Sequence, residues 1–142
     1  MKTFVVDDEK PAREELAWLL EQIEGVEVVG QAHDATSARE KLESEEFAGE
    51  VDLVFLDIDM PGVDGVRLAE LLSADDQTPR PMVAFVTAYD EYAVDAFDLD
   101  AVDYLLKPVR LERLQKTIDK ARSRGSLPAD DSVSDEETSG KD

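Results

Sequence analysis

Asp7, Asp8, Asp57, Thr87 and Lys107 each stand at the end of a short apolar run, and together they form a reactive set. Three carboxylates brought close together repel one another, and are partly protonated or spread apart unless a cation sits among them. With oxygen ligands alone, the cation such a cluster suits is a hard divalent ion, Mg²⁺ retaining several of its waters. The chain has no cysteine and a single histidine, His33, so a zinc centre is not expected. A carboxylate beside Mg²⁺, a hydroxyl and an ammonium make a phosphoryl-transfer set. Asp57 would be the nucleophile, the metal and Lys107 would neutralise charge on the transferred oxygens, and Thr87 would donate a hydrogen bond. The expected product is an aspartyl phosphate.

Such a set requires residues far apart in sequence to share one rim. The apolar runs "TFVV" (3–6), "DLVFL" (52–56), "MVAFV" (82–86) and "AVDYLL" (101–106) are too short for helices and mostly too continuous for half-exposed strands. They read as buried strands of a parallel sheet, with "VEVVGQA" (26–32) as a weaker fifth. Between them apolar residues recur at helical spacing: Leu16, Leu19, Leu20 and Ile23; Ala35, Ala38 and Leu42; Leu68, Leu71 and Leu72; Ala93, Ala96 and Phe97; Leu111, Leu114, Ile118 and Ala121. Pro11 suits a first helical turn, Asp34 can cap the second helix, and Gly25, Pro61 with Gly62, and Pro79 mark turns. Alternation with short connections implies right-handed crossovers and an α/β doubly wound sheet, whose ligand crevice lies beyond the carboxyl ends of the strands. All five reactive residues fall on that rim.

Composition narrows the function further. The 142 residues carry 35 acids against 15 bases, a formal net charge of -20, which repels phosphate backbones and anionic lipid rather than recruiting them. Direct binding of nucleic acid or membrane is therefore not expected. No apolar run approaches the roughly 18 residues of a membrane span, and with cysteine absent a cytoplasmic location is expected. Residues 1–124 hold the whole alternating pattern. Residues 125–142 are nearly devoid of apolar side chains and read as an acidic disordered tail or truncated linker. The acidity also fits a proteome adapted to high salt, where screening removes self-repulsion. A melting temperature that climbs with added salt is the expected outcome, and a flat salt series would exclude it.

The segments "VVDDE", "DLVFLDIDMPGVDG", "FVTAYDEYAVDAF" and "AVDYLLKP" resemble the receiver domain of two-component response regulators, over about residues 2–122. The resemblance implies a (βα)5 flavodoxin-like fold, a doubly wound five-stranded parallel sheet of strand order 2-1-3-4-5. It implies Asp57 as phosphoacceptor from a histidine kinase, Asp8 and Asp57 as side-chain ligands of Mg²⁺, and Asp7 as a companion acid acting through water. It further implies the backbone carbonyl of Asp59 as a metal ligand, Thr87 and Tyr104 as switch residues, Lys107 beside the phosphoryl group, and a cis Lys107–Pro108 peptide. Such a protein modifies itself and turns over no metabolite, so it is not expected to be an enzyme in the ordinary sense. "TAYDEYAVDAFDLDAVDYLLKP" more narrowly resembles receivers joined to LytTR-type DNA-binding output domains, in which case DNA is reached only through a domain absent from this sequence. A stand-alone receiver acting by protein–protein contact is the alternative. "DIDM" also imitates the nucleophile motif of haloacid-dehalogenase-like phosphatases, although Met60 stands where that class has Thr or Val. A flavodoxin-like nucleotide binder would need a Gly-rich loop after the first strand, which this chain lacks.

Between Asp90 and Asp103 the chain has six acids and no base, whereas from Arg110 to Arg124 it has six bases and two acids. Two copies could pair these segments reciprocally, which makes a homodimer through the last two helices and the fifth strand an expectation, in keeping with the family. The competing view is two solvated faces with intrachain pairs. His33 reads as a surface or packing residue, Trp18 as covering the edge of the first helix, and Asp64 as a turn residue. The resemblance also implies that Asp59 and Tyr89 occupy places where side chains influence phosphate lifetime.

Overall fold

In a computed structural model the chain is described at residues 1–47, 49–58, 81–88 and 101–125. The helices expected around Leu68–Leu72 and Ala93–Phe97 lie outside the described residues, as do Asp59, Asp64, Tyr89 and the tail beyond residue 125. Five strands are present, β1 (Lys2–Val6), β2 (Glu27–Ala32), β3 (Leu53–Asp57), β4 (Met82–Thr87) and β5 (Asp103–Leu106). They form one sheet in the order β2-β1-β3-β4-β5, every neighbouring pair parallel. The doubly wound order expected from the sequence is the observed one.

The described helices are α1 (Lys10–Glu21), α2 (Ala35–Glu43) and α3 (Leu111–Gly125). Successive strand residues point to opposite faces, so the continuous apolar run of β3 feeds two cores. Val54 and Leu56 join Phe4, Val6, Phe85 and the α2 residues Ala35, Ala38 and Leu42 on one face. On the other face Leu53 and Phe55 meet Val5, Val86, Leu16 and Leu20 of α1, and Leu114, Ile118 and Ala121 of α3. Trp18, expected to cover the edge of its helix, is 62% exposed. At the start of α2, Asp34 accepts a 2.7 Å hydrogen bond from the Ser37 amide, which satisfies one of the orphan amides of the first turn.

Two glycines explain the weaker edge of the sheet. A Cβ on Gly30 would lie 2.7 Å from the Phe4 ring, so the absence of a side chain in β2 lets that ring pack beneath the strand. Gly25 has φ +82° in the turn from α1 to β2, where a side chain is strained and would also crowd Arg122. That turn is closed by Arg122 of α3, which donates 2.6 Å to the Glu24 carbonyl. The fifth strand starts at Asp103 rather than Ala101. Val102 is buried and its amide reaches the Val83 carbonyl at 2.8 Å, so the apolar pattern begins before the regular ladder.

Candidate functional site

The carboxyl ends of β1, β3, β4 and β5 carry the reactive set to one rim, because parallel strands all present the same end. Asp57 is the last residue of β3, Thr87 the last of β4, and Lys107 follows β5 directly. One carboxylate oxygen each from Asp7, Asp8 and Asp57 lie within 4.8 Å of one another, a grouping that could hold a metal ion. Asp7 and Asp57 are 3% and 5% exposed, whereas Asp8 is exposed at the mouth. Two near-buried carboxylates at this separation repel strongly and call for a cation.

Lys107 supplies part of that charge. Its Nζ donates 2.8 Å to Asp7 Oδ2 and 3.3 Å to Asp57 Oδ2, and lies 3.9 Å from Glu9. Burial alone would lower the Lys107 pKa, but the hydrogen bond to Asp7 and the charges of Asp57 and Asp7 outweigh it and hold the ammonium above its ordinary value. Among the described residues one ammonium faces three carboxylates, which leaves net negative charge there. An all-oxygen donor set with an exposed member suits a hydrated hard cation, so the residues fit Mg²⁺.

Each polar atom of Asp7 has a distinct partner. Its amide donates to the Ala32 carbonyl at 3.1 Å, and its carbonyl accepts from Arg13 Nη1 at 2.9 Å. Its Oδ1 accepts from the Glu9 amide at 2.9 Å while Oδ2 takes the Lys107 ammonium. Asp8, by contrast, makes no hydrogen bond or ion pair through its carboxylate among the described residues, leaving its lone pairs open. Arg13 also donates through Nε to Gln31 Oε1 at 3.1 Å, which joins α1, the β1 terminus and β2. Neither Arg13 nor Gln31 was recognisable as a site neighbour from sequence, since each is an ordinary polar residue on an amphipathic element.

Thr87 is fully buried, and its carbonyl accepts the Lys107 amide at 2.8 Å, so the hydroxyl-bearing and ammonium-bearing residues are pinned side by side. The Lys107–Pro108 peptide is cis. Tyr104 is half-buried on β5, in register with Phe85 of β4 and packed against the same core as Val54 and Leu56. Lys107 and Asp7 also border a groove of about 350 Å³ walled by Leu16, Leu19, Val86, Pro108 and Val109.

The charge asymmetry of the last segments is partly consumed within the chain. Asp103, counted with the acidic stretch, has a side chain only 6% exposed and is gripped by Arg113 Nη1 and Nη2 at 2.7 and 2.8 Å. Thr117 Oγ1 donates to it at 2.8 Å and Lys120 lies 3.3 Å away. Arg113, Lys120 and Arg122 therefore have intrachain partners, and the bases without an ion pair to a described residue include Arg110 and Lys116.

Comparison with known proteins agrees with this fold. The family described as response regulator receiver domain matches residues 3–119. The chain is 44% identical over 122 residues to the sensory transduction protein LytR of Staphylococcus haemolyticus, covering 86% of this chain and 45% of that protein. It is 40% identical over 124 residues to the sensory transduction protein LytT of Bacillus anthracis, covering 87% and 48%. The chain thus spans about half the length of the curated relatives it matches. Among solved structures, the response regulatory domain of mrkE from Klebsiella pneumoniae superposes with a TM-score of 0.76 at 37% identity, covering 87% of this chain and 97% of that one. The receiver domain of AraT from Geobacillus stearothermophilus gives 0.73 at 32% identity, covering 91% and 98%.

Proposed function

We propose, for a chain that belongs to the response regulator receiver domain family, that Asp57 accepts a phosphoryl group from a histidine kinase and that the modified domain switches an output. An oxygen of the Asp57 carboxylate forms a bond to phosphorus as the P–N bond to the kinase histidine breaks, and the leaving imidazole keeps the electron pair. Asp8 and Asp57 would hold Mg²⁺ directly, with the Asp59 carbonyl as a further ligand outside the described residues and Asp7 acting through water. Bound there, the metal would neutralise charge on the phosphoryl oxygens. Lys107 keeps its proton and faces the same oxygens, and Thr87 and Tyr104 are the residues that would reorient once Asp57 is modified.

The observation that carries this reading is the near-buried Asp57 carboxylate grouped with those of Asp7 and Asp8, with the Lys107 ammonium bridging Asp7 and Asp57. For the output, the similarity to LytR and LytT sensory transduction proteins supports transcription control through a LytTR-type DNA-binding domain outside this chain. A phosphorylation-dependent homodimer would rely on Arg110, Lys116 and the β5 face rather than on the bases Asp103 already engages. Among the described residues no helix is long and apolar enough to cross a membrane.

Incubation with Mg²⁺ and acetyl phosphate, followed by intact mass, is expected to add one phosphoryl group that is absent when EDTA replaces the metal. Failure to acquire it from either acetyl phosphate or a phosphorylated histidine kinase would overturn the reading. Sustained hydrolysis of a general phosphatase substrate would favour an enzyme.

A further inference from the structure

Asp8 brings an exposed carboxylate to the rim without any hydrogen bond to a described residue to aim it. Its direction must come from the backbone that carries it. The Asp7 carbonyl and the Asp8 amide belong to one planar peptide group, so a hydrogen bond that fixes the carbonyl also fixes the plane from which Asp8 departs. Arg13 makes that bond at 2.9 Å.

The guanidinium is itself held in place. Its Nε is engaged by Gln31 Oε1 at 3.1 Å, and Gln31 sits on β2 opposite Val5 of β1, within the rigid sheet. The Arg13 backbone amide bonds to the Glu9 carbonyl at 2.9 Å, and the Glu9 amide bonds to Asp7 Oδ1 at 2.9 Å. The β1–α1 connection is therefore closed from both sides, with the Arg13 side chain spanning helix, strand end and neighbouring strand. Its planar fork can reach two acceptors at a fixed angle, which a lysine cannot.

We propose that Arg13, oriented by Gln31, is a positioning residue for the divalent cation: it presents the Asp7–Asp8 peptide so that the Asp8 carboxylate points into the site. This rests on the reading of Asp8 and Asp57 as metal ligands, and concerns only how the first of them is aimed. Removing a group that orients a metal ligand typically costs roughly 10–100-fold in metal affinity or activity.

Mg²⁺ titrations followed by amide chemical shifts of Asp8 and Asp57 test it directly. Arg13→Ala is expected to raise the half-saturating Mg²⁺ concentration about tenfold. Arg13→Lys should recover part of that loss through a single bond to the Asp7 carbonyl, and Gln31→Ala should show a smaller rise than Arg13→Ala. At saturating Mg²⁺ the rate of phosphoryl uptake from acetyl phosphate should return to near the wild-type value in all three. A merely structural role would lower the melting temperature without Mg²⁺ and leave the half-saturation of the folded protein unchanged, which overturns the proposal. Should Arg13→Ala not fold, unchanged half-saturation in both Arg13→Lys and Gln31→Ala overturns it equally. If the wild-type amides do not respond to Mg²⁺ at all, the metal reading itself fails, an outcome distinct from the others.

Discussion

Asp57→Asn is expected to lose the phosphoryl adduct completely, while the variant folds and is more stable than the parent in the absence of divalent cations. The amide keeps the size of the side chain but removes the nucleophilic charge, so neither acetyl phosphate nor a phosphorylated kinase can modify this position. The stability gain follows from charge. Asp57 is 5% exposed and lies close to the Asp7 and Asp8 carboxylates, with Lys107 at 3.3 Å as its counter-charge. Among the described residues, neutralising it removes two repulsions and one attraction, a net gain on the order of 1 kcal/mol after screening at the open mouth. For a domain of this size that is a rise of roughly 3 °C in melting temperature. Mg²⁺ should stabilise the parent more than the variant, since the ion binds the folded site. Thermal melts with and without Mg²⁺, paired with intact mass, check all of this. A surviving adduct would place the nucleophile elsewhere, and a fall in melting temperature would mean that the Lys107 pair outweighs the repulsion.

The legibility of this fold from sequence follows the same physics. Phe4, Val5, Leu53, Val54, Phe55 and Leu56 are each fully buried, because strands covered on both faces have no solvent side to encode. Their continuous apolar runs made β1 and β3 plain. β2 lies at the sheet edge with a glycine opposite the Phe4 ring, and it was the weakest signal for that reason. The rim residues were legible because each follows such a run, so reading strand ends amounted to reading the carboxyl-end rim of the sheet. What sequence could not supply was the partner of a polar side chain. Asp103 looked like one more acid of a solvated stretch, yet its side chain is buried against α3. The spacing of Arg113, Thr117 and Lys120 on one helical face was the available signal, but nothing local told that face from a solvated one. Arg13 was hidden likewise, since its acceptors are a main-chain carbonyl and a glutamine from another strand.

Arg113→Met is expected to destabilise the fold by about 2–3 kcal/mol at neutral pH. Removing the guanidinium leaves a carboxylate that is 6% exposed without its bidentate partner, holding only the Thr117 hydroxyl, the Tyr104 amide and the more distant Lys120. The figure sits below that of a fully buried pair because the Arg113 side chain is 40% exposed and part of its charge is solvated already. Asp103→Asn should cost less, since Arg113 can turn to water. The double variant should cost less than the two changes added together, because both remove one interaction. The acid limb separates this network from simple packing. Burial would push the Asp103 carboxyl up, but hydrogen bonds from Arg113, Thr117 and the Tyr104 amide hold it well below its ordinary value of 3.8. A carboxyl depressed in the folded state contributes stability above the unfolded pKa, and that contribution is lost as pH falls through the folded value. The stability gap between the parent and Asp103→Asn should therefore narrow as pH is lowered below about 4 in urea unfolding. A gap that stays constant down to about pH 2 would assign the effect to packing instead. Since Arg113 also reaches the Tyr104 carbonyl at 3.4 Å, the network fixes the main chain of β5 on both sides of Tyr104. Lys107 follows that strand directly, so an anchored β5 is what holds the ammonium at the carboxylates, and loosening it should slow phosphoryl uptake even where the variant remains folded.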